Sequence, residues 1–441
     1  MKSMKSSFSL ALAALMLLLA LPLAARAAAQ PCACDTIVQL MVMGNYATPM
    51  YYADGDEQGR QAMLPMQFLM NERGESRLPI TRKWEWEFDA AQDHRENPEY
   101  YFVFDYRVDQ FENAQRLHEF VEAVCLATGH EKVAMTSTSQ ANSVMMTYLK
   151  EHGYGRARSL MFYNGSFQGT TFMGEALTDF QIGSLADFAE FLACTKRDSE
   201  MMAASMNLLT TLPGANRALR LPPANRLAEA LAGRVIKHMP YMWTFFPAGY
   251  YEQVRDKLLV GPQYDYLRAR LDKYHNEVQL HVPELLANAQ KAGVKVAVVA
   301  CYGVSAIPLT AKTDYQNDSL VDVAYSSVGA TVAPIGQVLP PGDSPYRSPD
   351  GIIDAASCVL PDKTWFVKYK GHWWSDDVFR EFQQWFIHSD GHPTVNSNPV
   401  YPQFMYVGDG ELHALADEPE RPPLPDTFVP AMAALLRVLA G

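Results

Sequence analysis

The residues best suited to chemistry centre on Ser139, in the stretch from Val133 to Leu149 (VAMTSTSQANSVMMTYL). The apolar run Val133-Ala134-Met135 has the character of a buried strand. A short run of small, mostly polar residues, Thr136 to Ala141, leads into a helical pattern. That pattern carries Val144, Met145, Tyr148 and Leu149, with Gly153 placed as a C-cap. A serine at the tip of a strand that turns sharply into a helix is the arrangement called a nucleophile elbow. Its strained turn needs small residues two places to either side. Ser137 and Ala141 hold those places, small but not glycine. A serine N-cap on an ordinary helix would give the same local pattern.

A serine nucleophile needs a base to take its proton and an acid to fix the tautomer of that base. In an open parallel sheet such groups meet only if each lies just past the C-terminal end of a strand. Asp318 follows the apolar run around Val296, and His372 follows the run around Trp365. The set Ser139, Asp318, His372 therefore has both suitable order and suitable placement. Asp322 is the alternative acid, in poorer register. His388 and His392 lie beyond the helix that follows His372 and are poorer bases. His118 fits a solvated helix face, and His130 fits a surface turn before the elbow strand. Asp105 and Arg107 are expected to form a structural pair beneath the site.

The elements that must position these groups follow from periodicity. Apolar runs predict strands at Thr36–Gly44, Tyr100–Arg107, Val133–Met135, Ser159–Tyr163, Lys295–Ala300 and Lys363–Lys368. Trp84–Phe88 has the alternation of an edge strand. Helical spacing covers Asn113–Ala127 (Ala114, Leu117, Phe120, Val121, Val124) and Asp376–Phe386. Repeated strand–helix alternation predicts an α/β fold, a mostly parallel sheet with helices on both faces. The rhythm stops between about Gly174 and Ala292, a length too great for a loop, which is expected to be an inserted helical cap. Its Met- and aromatic-rich pieces, Met201–Met206 and Met239–Pro247, are expected to be mostly core, with a minority lining an apolar acyl pocket. The tail from Pro393 is rich in proline and aromatics and ends in a short apolar helix, Phe428–Leu439. The division expected is thus 1–29, 30–173, 174–292 (cap), 293–392 and 393–441.

With 441 residues, 48% hydrophobic and 20% charged, the chain has the composition of a globular protein with a large core. Lys2 and Lys5 precede an apolar run from Phe8 to Leu23 and the small residues Ala25 to Ala29. This is the pattern of a secretory signal peptide cut before Ala28 or Gln30, and it predicts a secreted or periplasmic protein. The six cysteines are an even number in a compartment that permits disulfides, and their spacing forms no zinc pattern. A formal net charge of −12 argues against nucleic acid and against adsorption to anionic membranes. Any transient lipid-surface contact is expected through the cap.

Several stretches together resemble the lecithin:cholesterol acyltransferase-like and related secreted lipase group of α/β-hydrolases, over about Thr36 to His372. Met41-Val-Met-Gly44 is similar to the end of the family's first strand, and Asp105-Tyr106-Arg107 to its aspartate–aromatic–arginine strand end. Ser137-Thr-Ser-Gln-Ala141 stands where the family has Gly-x-Ser-x-Gly. Gly165 to Thr170 resembles the turn Gly-Thr-Pro-x-x-Gly, and Met239-Pro-Tyr-Met-Trp243 a segment of its cap. Asn317-Asp-Ser-Leu-Val321 resembles Asn-Asp-Gly-x-Val, which carries the catalytic acid. The resemblance implies an α/β-hydrolase fold, with Ser139 as nucleophile, His372 as base and Asp318 as acid. The backbone amides of Gln140 and of a residue near Asn45 would form the oxyanion hole. It further implies a lipase or esterase acting on a lipid or other apolar acyl ester. An O-acyltransferase with the same triad, and a non-catalytic binding relative with a degenerate elbow, are the alternatives. Some lipases of this kind bind calcium, but no dense carboxylate loop occurs here. No metal and no cofactor are expected.

Overall fold

Along three central strands the apolar side chains alternate between two cores. Met135, Leu160, Phe162, Val296 and Val298 enter one hydrophobic cluster. Their neighbours Ala134, Met161, Tyr163, Ala297 and Val299 enter another. Period-two alternation with both sets apolar requires a sheet covered on both faces. The computed structural model describes residues 31–43, 50–52, 69–77, 80–82, 89–178, 236–304, 306, 314–372 and 376–419. The signal-like segment, Trp84–Phe88, Asn45, Met201–Met206 and the helix expected at 428–439 lie outside them.

Eight strands form the main sheet: β1 (Gln39–Val42), β2 (Glu99–Phe102), β3 (Val133–Thr138), β4 (Ala157–Tyr163), β5 (Lys295–Tyr302), β6 (Thr364–Lys368), β7 (Phe404–Gly408) and β8 (Glu411–Ala414). Their spatial order is β2-β1-β3-β4-β5-β6-β7-β8. Every pairing is parallel except the last, β7 with β8. The chain runs outward from β1 to β2, then returns to the other side of β1 as β3. Such a reversal is the point at whose C-terminal strand ends ligands bind in open α/β sheets.

Helices α1 (Gln110–Thr128) and α2 (Ala141–His152) cover one face. The Asp109 side chain caps α1 by accepting from the Glu112 amide, and Gly129 ends it at φ 70°. After α3 (Thr171–Thr178), the described chain resumes in the 3₁₀ turns Ile236–His238 and Pro240–Phe245. Then come α4 (Ala248–Leu258), α5 (Asp265–Glu277) and α6 (Val282–Lys291). Tyr274, Val278, Val282 and Leu286 share the first cluster with α2 and β5. The described end of the segment expected as a cap thus belongs to the helix layer on the sheet, because its apolar stripe completes that core. The expected boundary at Gly174 falls inside α3. On the opposite face α7 (Asp376–His388) buries Phe379, Phe382 and Phe386 against Trp365 and Val367.

The tail from Pro393 departs from the expected extension, since β7 and β8 continue the sheet. Their turn, Asp409-Gly410, has φ 52° and 83°, a left-handed pair characteristic of tight hairpins and visible in sequence as Asp-Gly. Among the described residues no helix is long and apolar enough to cross a membrane.

Candidate active site

The chain leaves β3 and enters α2 through Ser139, whose φ of 55° lies in the left-handed region that L-residues rarely occupy. Such strain persists only where the surroundings over-determine it. Here the Ser139 amide donates to Tyr163 O at 2.9 Å, and Ser139 O accepts from Asn142 N at 3.2 Å. The two flanking positions each carry a buried Cβ. Ala141 is fully buried in the core, and the buried Ser137 hydroxyl donates to Asn142 Oδ1. Glycine is instead required one strand away, at Gly165. A Cβ there would lie 2.3 Å from Asn142 Nδ2 and 2.5 Å from the Phe167 ring.

Asp318 lies on the loop after β5, 1% exposed. Its Oδ1 accepts from the amides of Leu320 and Val321 at 3.0 and 2.8 Å, which fixes the carboxylate plane. Ser319 adopts φ 90° where the resembled motif has glycine, and its amide donates to Asn317 Oδ1 at 2.6 Å. The left-handed turn is therefore kept with a serine in it. His372 follows β6 and is largely buried.

These three side chains meet. Ser139 Oγ is 2.8 Å from His372 Nε2, and His372 Nδ1 is 2.8 Å from Asp318 Oδ2. With Asp318 accepting at Nδ1, the neutral imidazole carries its proton there and presents Nε2 as the acceptor for the Ser139 hydroxyl. Asp322 lies elsewhere: its Oδ2 accepts from Thr171 N at 2.8 Å, at the start of α3. Burial pushes its carboxyl up to about 6, with the charge of Asp318 adding to the effect against the hydrogen bond from Thr171. His388 and His392 are exposed. His118 departs from a solvated face, since it stacks on His152 with ring centroids 4.0 Å apart. Asp105 and Arg107 form a buried two-armed pair, at 2.9 and 2.8 Å.

Gln140 follows Ser139, at the position whose backbone amide is the expected oxyanion donor of an elbow. Asn45 lies outside the described residues. A role for the Gln140 side chain has no local signature in sequence. Its Nε2 donates to Tyr241 O at 2.7 Å and to Thr244 Oγ1, tying the elbow to the turn at 240–245. The turn is held from the other side by Thr170 N donating to Phe245 O at 2.8 Å. Tyr241, Trp243 and Phe246 are buried core, while Met242 and Phe245 are half-buried.

Cys194 lies outside the described residues. The five described cysteines are free. Cys125, Cys301 and Cys358 are buried in three different clusters, too dispersed to pair. Although the cysteine spacing forms no zinc pattern, four side chains of metal-ligand type lie together: Cys32, Cys34, His94 and His130 have ligand atoms within 4.8 Å of one another. The 60- and 96-residue separations from Cys34 to these histidines hide the group from any spacing rule.

Sheet order, strained elbow and residues after β3, β5 and β6 together define an α/β-hydrolase fold. No family model and no curated protein matches the chain. Among solved structures, the Tle4-Tli4 complex is similar at 12% identity and a TM-score of 0.24, over 56% of this chain and 53% of that one. The chain thus spans about half the length of that neighbour. A candidate aryl esterase from Burkholderia cenocepacia is similar at 14% identity and a TM-score of 0.23, over 66% of this chain and 76% of that one. DBJA is similar at 12% and 0.23, over 62% and 75%.

Proposed function

We propose that the protein is a serine ester hydrolase that cleaves a lipid or other apolar acyl ester through an acyl-enzyme. One observation carries the reading: the unbroken hydrogen-bonded line from Ser139 Oγ through His372 to Asp318, at 2.8 Å for each link. In the first half-reaction Ser139 Oγ attacks the ester carbonyl as its proton passes to His372 Nε2. The oxyanion is held by backbone amides, that of Gln140 among them. Collapse of the tetrahedral intermediate breaks the bond to the leaving alcohol, which takes the proton from Nε2. Water then attacks the acyl-enzyme, gives its proton to the same nitrogen, and the acid departs as Ser139 is reprotonated. Asp318 stabilises the transient imidazolium without accepting its proton.

The apolar acyl preference is supported by two things. The motifs resemble secreted lipases of the lecithin:cholesterol acyltransferase-like group, and the half-buried Met242 and Phe245 are anchored beside the elbow. The proposed setting is an exported compartment, on the strength of the signal-like N-terminal sequence.

A fluorophosphonate probe tests the nucleophile directly. It should label the wild type and spare Ser139→Ala, and a panel of short- and long-chain p-nitrophenyl esters should be hydrolysed by the wild type alone. Equal, background-level rates and no labelling would instead mean a non-catalytic binding protein.

A further inference from the structure

We infer that Cys32, Cys34, His94 and His130 form a closed, structural Cys₂His₂ site for zinc, at the end of the sheet opposite the catalytic groups. The ligands come from three segments, each just before one of three adjacent strands. Cys32 and Cys34 precede β1, His94 lies in the turn before β2, and His130 follows the α1 cap and precedes β3. All four are partly exposed, as an ion entering from solvent requires.

The distances fit one ion. Cys32 Sγ is 3.4 Å from His94 Nε2, and Cys34 Sγ is 3.5 Å from His94 Nε2 and 3.4 Å from His130 Nε2. Tetrahedral zinc, with Zn–S of about 2.3 Å and Zn–N of about 2.0–2.1 Å, places sulfur and nitrogen roughly 3.5 Å apart. The two imidazoles meet edge to face, with centroids 5.1 Å apart and planes at 82°, so both Nε2 atoms converge without the rings overlapping. The Cys34 amide lies 3.4 Å from Cys32 Sγ, a donor aimed at a ligand sulfur. The one misfit is the separation of the sulfurs, 2.7 Å, against roughly 3.7 Å for two thiolates on one tetrahedral zinc. Rotation of two partly exposed side chains by about 1 Å removes it.

Two thiolates and two imidazoles select zinc over hard cations, and four protein ligands leave no open position for chemistry. The ion's role is therefore to pin the chain before β1 to the starts of β2 and β3. One backbone bond already joins two of these segments, from Cys32 N to Gly129 O at 3.0 Å. Because an ion held by all four ligands binds only the folded chain, its binding adds to stability by mass action.

The test uses the full chain, purified without chelator and reconstituted with Zn²⁺. About one zinc per chain is expected by elemental analysis. Replacement by Co²⁺ should give intense tetrahedral d–d bands and a thiolate-to-cobalt charge-transfer band. Chelation should lower the thermal midpoint, and added zinc should restore it. Cys34→Ser and His94→Ala should each lose the ion, and their midpoints should not respond to chelator. A wild type that holds well under one zinc, with cobalt spectra lacking charge transfer, overturns the site. An intact mass two hydrogens short, mapped to a Cys32–Cys34 bond, overturns it equally. The wild-type measurements stand even if the variants do not fold. None of them reads ester turnover, so the fate of the hydrolase proposal leaves the result untouched.

Discussion

The side-chain amide of Gln140 donates to the carbonyl oxygen of Tyr241 at 2.7 Å, across 101 residues of sequence. The residue after Ser139 is thus clamped from behind by the turn at 240–245. Replacing it with Leu keeps the backbone amide but removes the clamp. We expect Gln140→Leu to lose about 1–3 kcal/mol of stability, because buried polar partners lose their donor. Its kcat should fall more than its KM rises for a short ester, since a displaced oxyanion donor weakens transition-state binding. A rise in KM with unchanged kcat would contradict this role.

Gly169 marks the other side of the same turn. At φ 99°, a Cβ there would stand 2.4 Å from both the Phe246 carbonyl carbon and Pro247 N, which are backbone atoms that cannot swing away. Gly169→Ala should cost on the order of 3 kcal/mol in denaturant unfolding, from strain and overlap together. A loss below about 1 kcal/mol would mean that the turn yields easily.

Two neighbouring carboxylates should separate cleanly. Asp318→Asn should lower kcat by about 10⁴, because the amide no longer holds the required imidazole tautomer. Asp322→Asn should leave turnover near wild type, since Asp322 faces Thr171 N and not His372. The reverse pattern in steady-state kinetics would exchange their roles.

Asp322 also predicts a pH dependence of stability. Burial lifts its carboxyl to about 6 in the folded protein. An unfolded chain holds it near about 3.9. Between those values the folded state keeps a proton that the unfolded state has released, so stability falls as pH rises from about 4 to about 6. The fall is at most roughly 3 kcal/mol. Asp322→Asn can still accept from Thr171 and should flatten that slope. Denaturation midpoints measured across the window for both proteins decide it. Parallel curves would refute the assignment.

Arg107 and Asp105, 3% and 6% exposed, form a buried ion pair. Arg107→Ala leaves a buried carboxylate without its partner and should cost about 3–5 kcal/mol. Arg107→Lys keeps the charge but not the two-armed geometry, and should fall between. Equilibrium unfolding of the three proteins checks the order.

Much of the fold was legible because its causes are local. Ala114, Leu117, Val121 and Val124 recur at helical spacing and Gly129 marks the end of α1, whereas its start at Gln110, capped by Asp109, precedes the expected Asn113. Val133 to Met135 and Lys295 to Ala300 are apolar enough that only a doubly covered sheet can hold them. From that alternation the order Ser139, Asp318, His372 could be placed after three strands, since each lies next to its own strand in sequence. Side-chain contact across 233 residues between Ser139 and His372 is another matter. It depends on β3 and β6 lying in register within one sheet, which no local pattern encodes. The grip of Gln140 on Tyr241, and the meeting of Cys32 and Cys34 with His94 and His130, were likewise decided only by the tertiary structure. They join segments whose own sequences carry no mark of each other, and only sheet order brings their ends together.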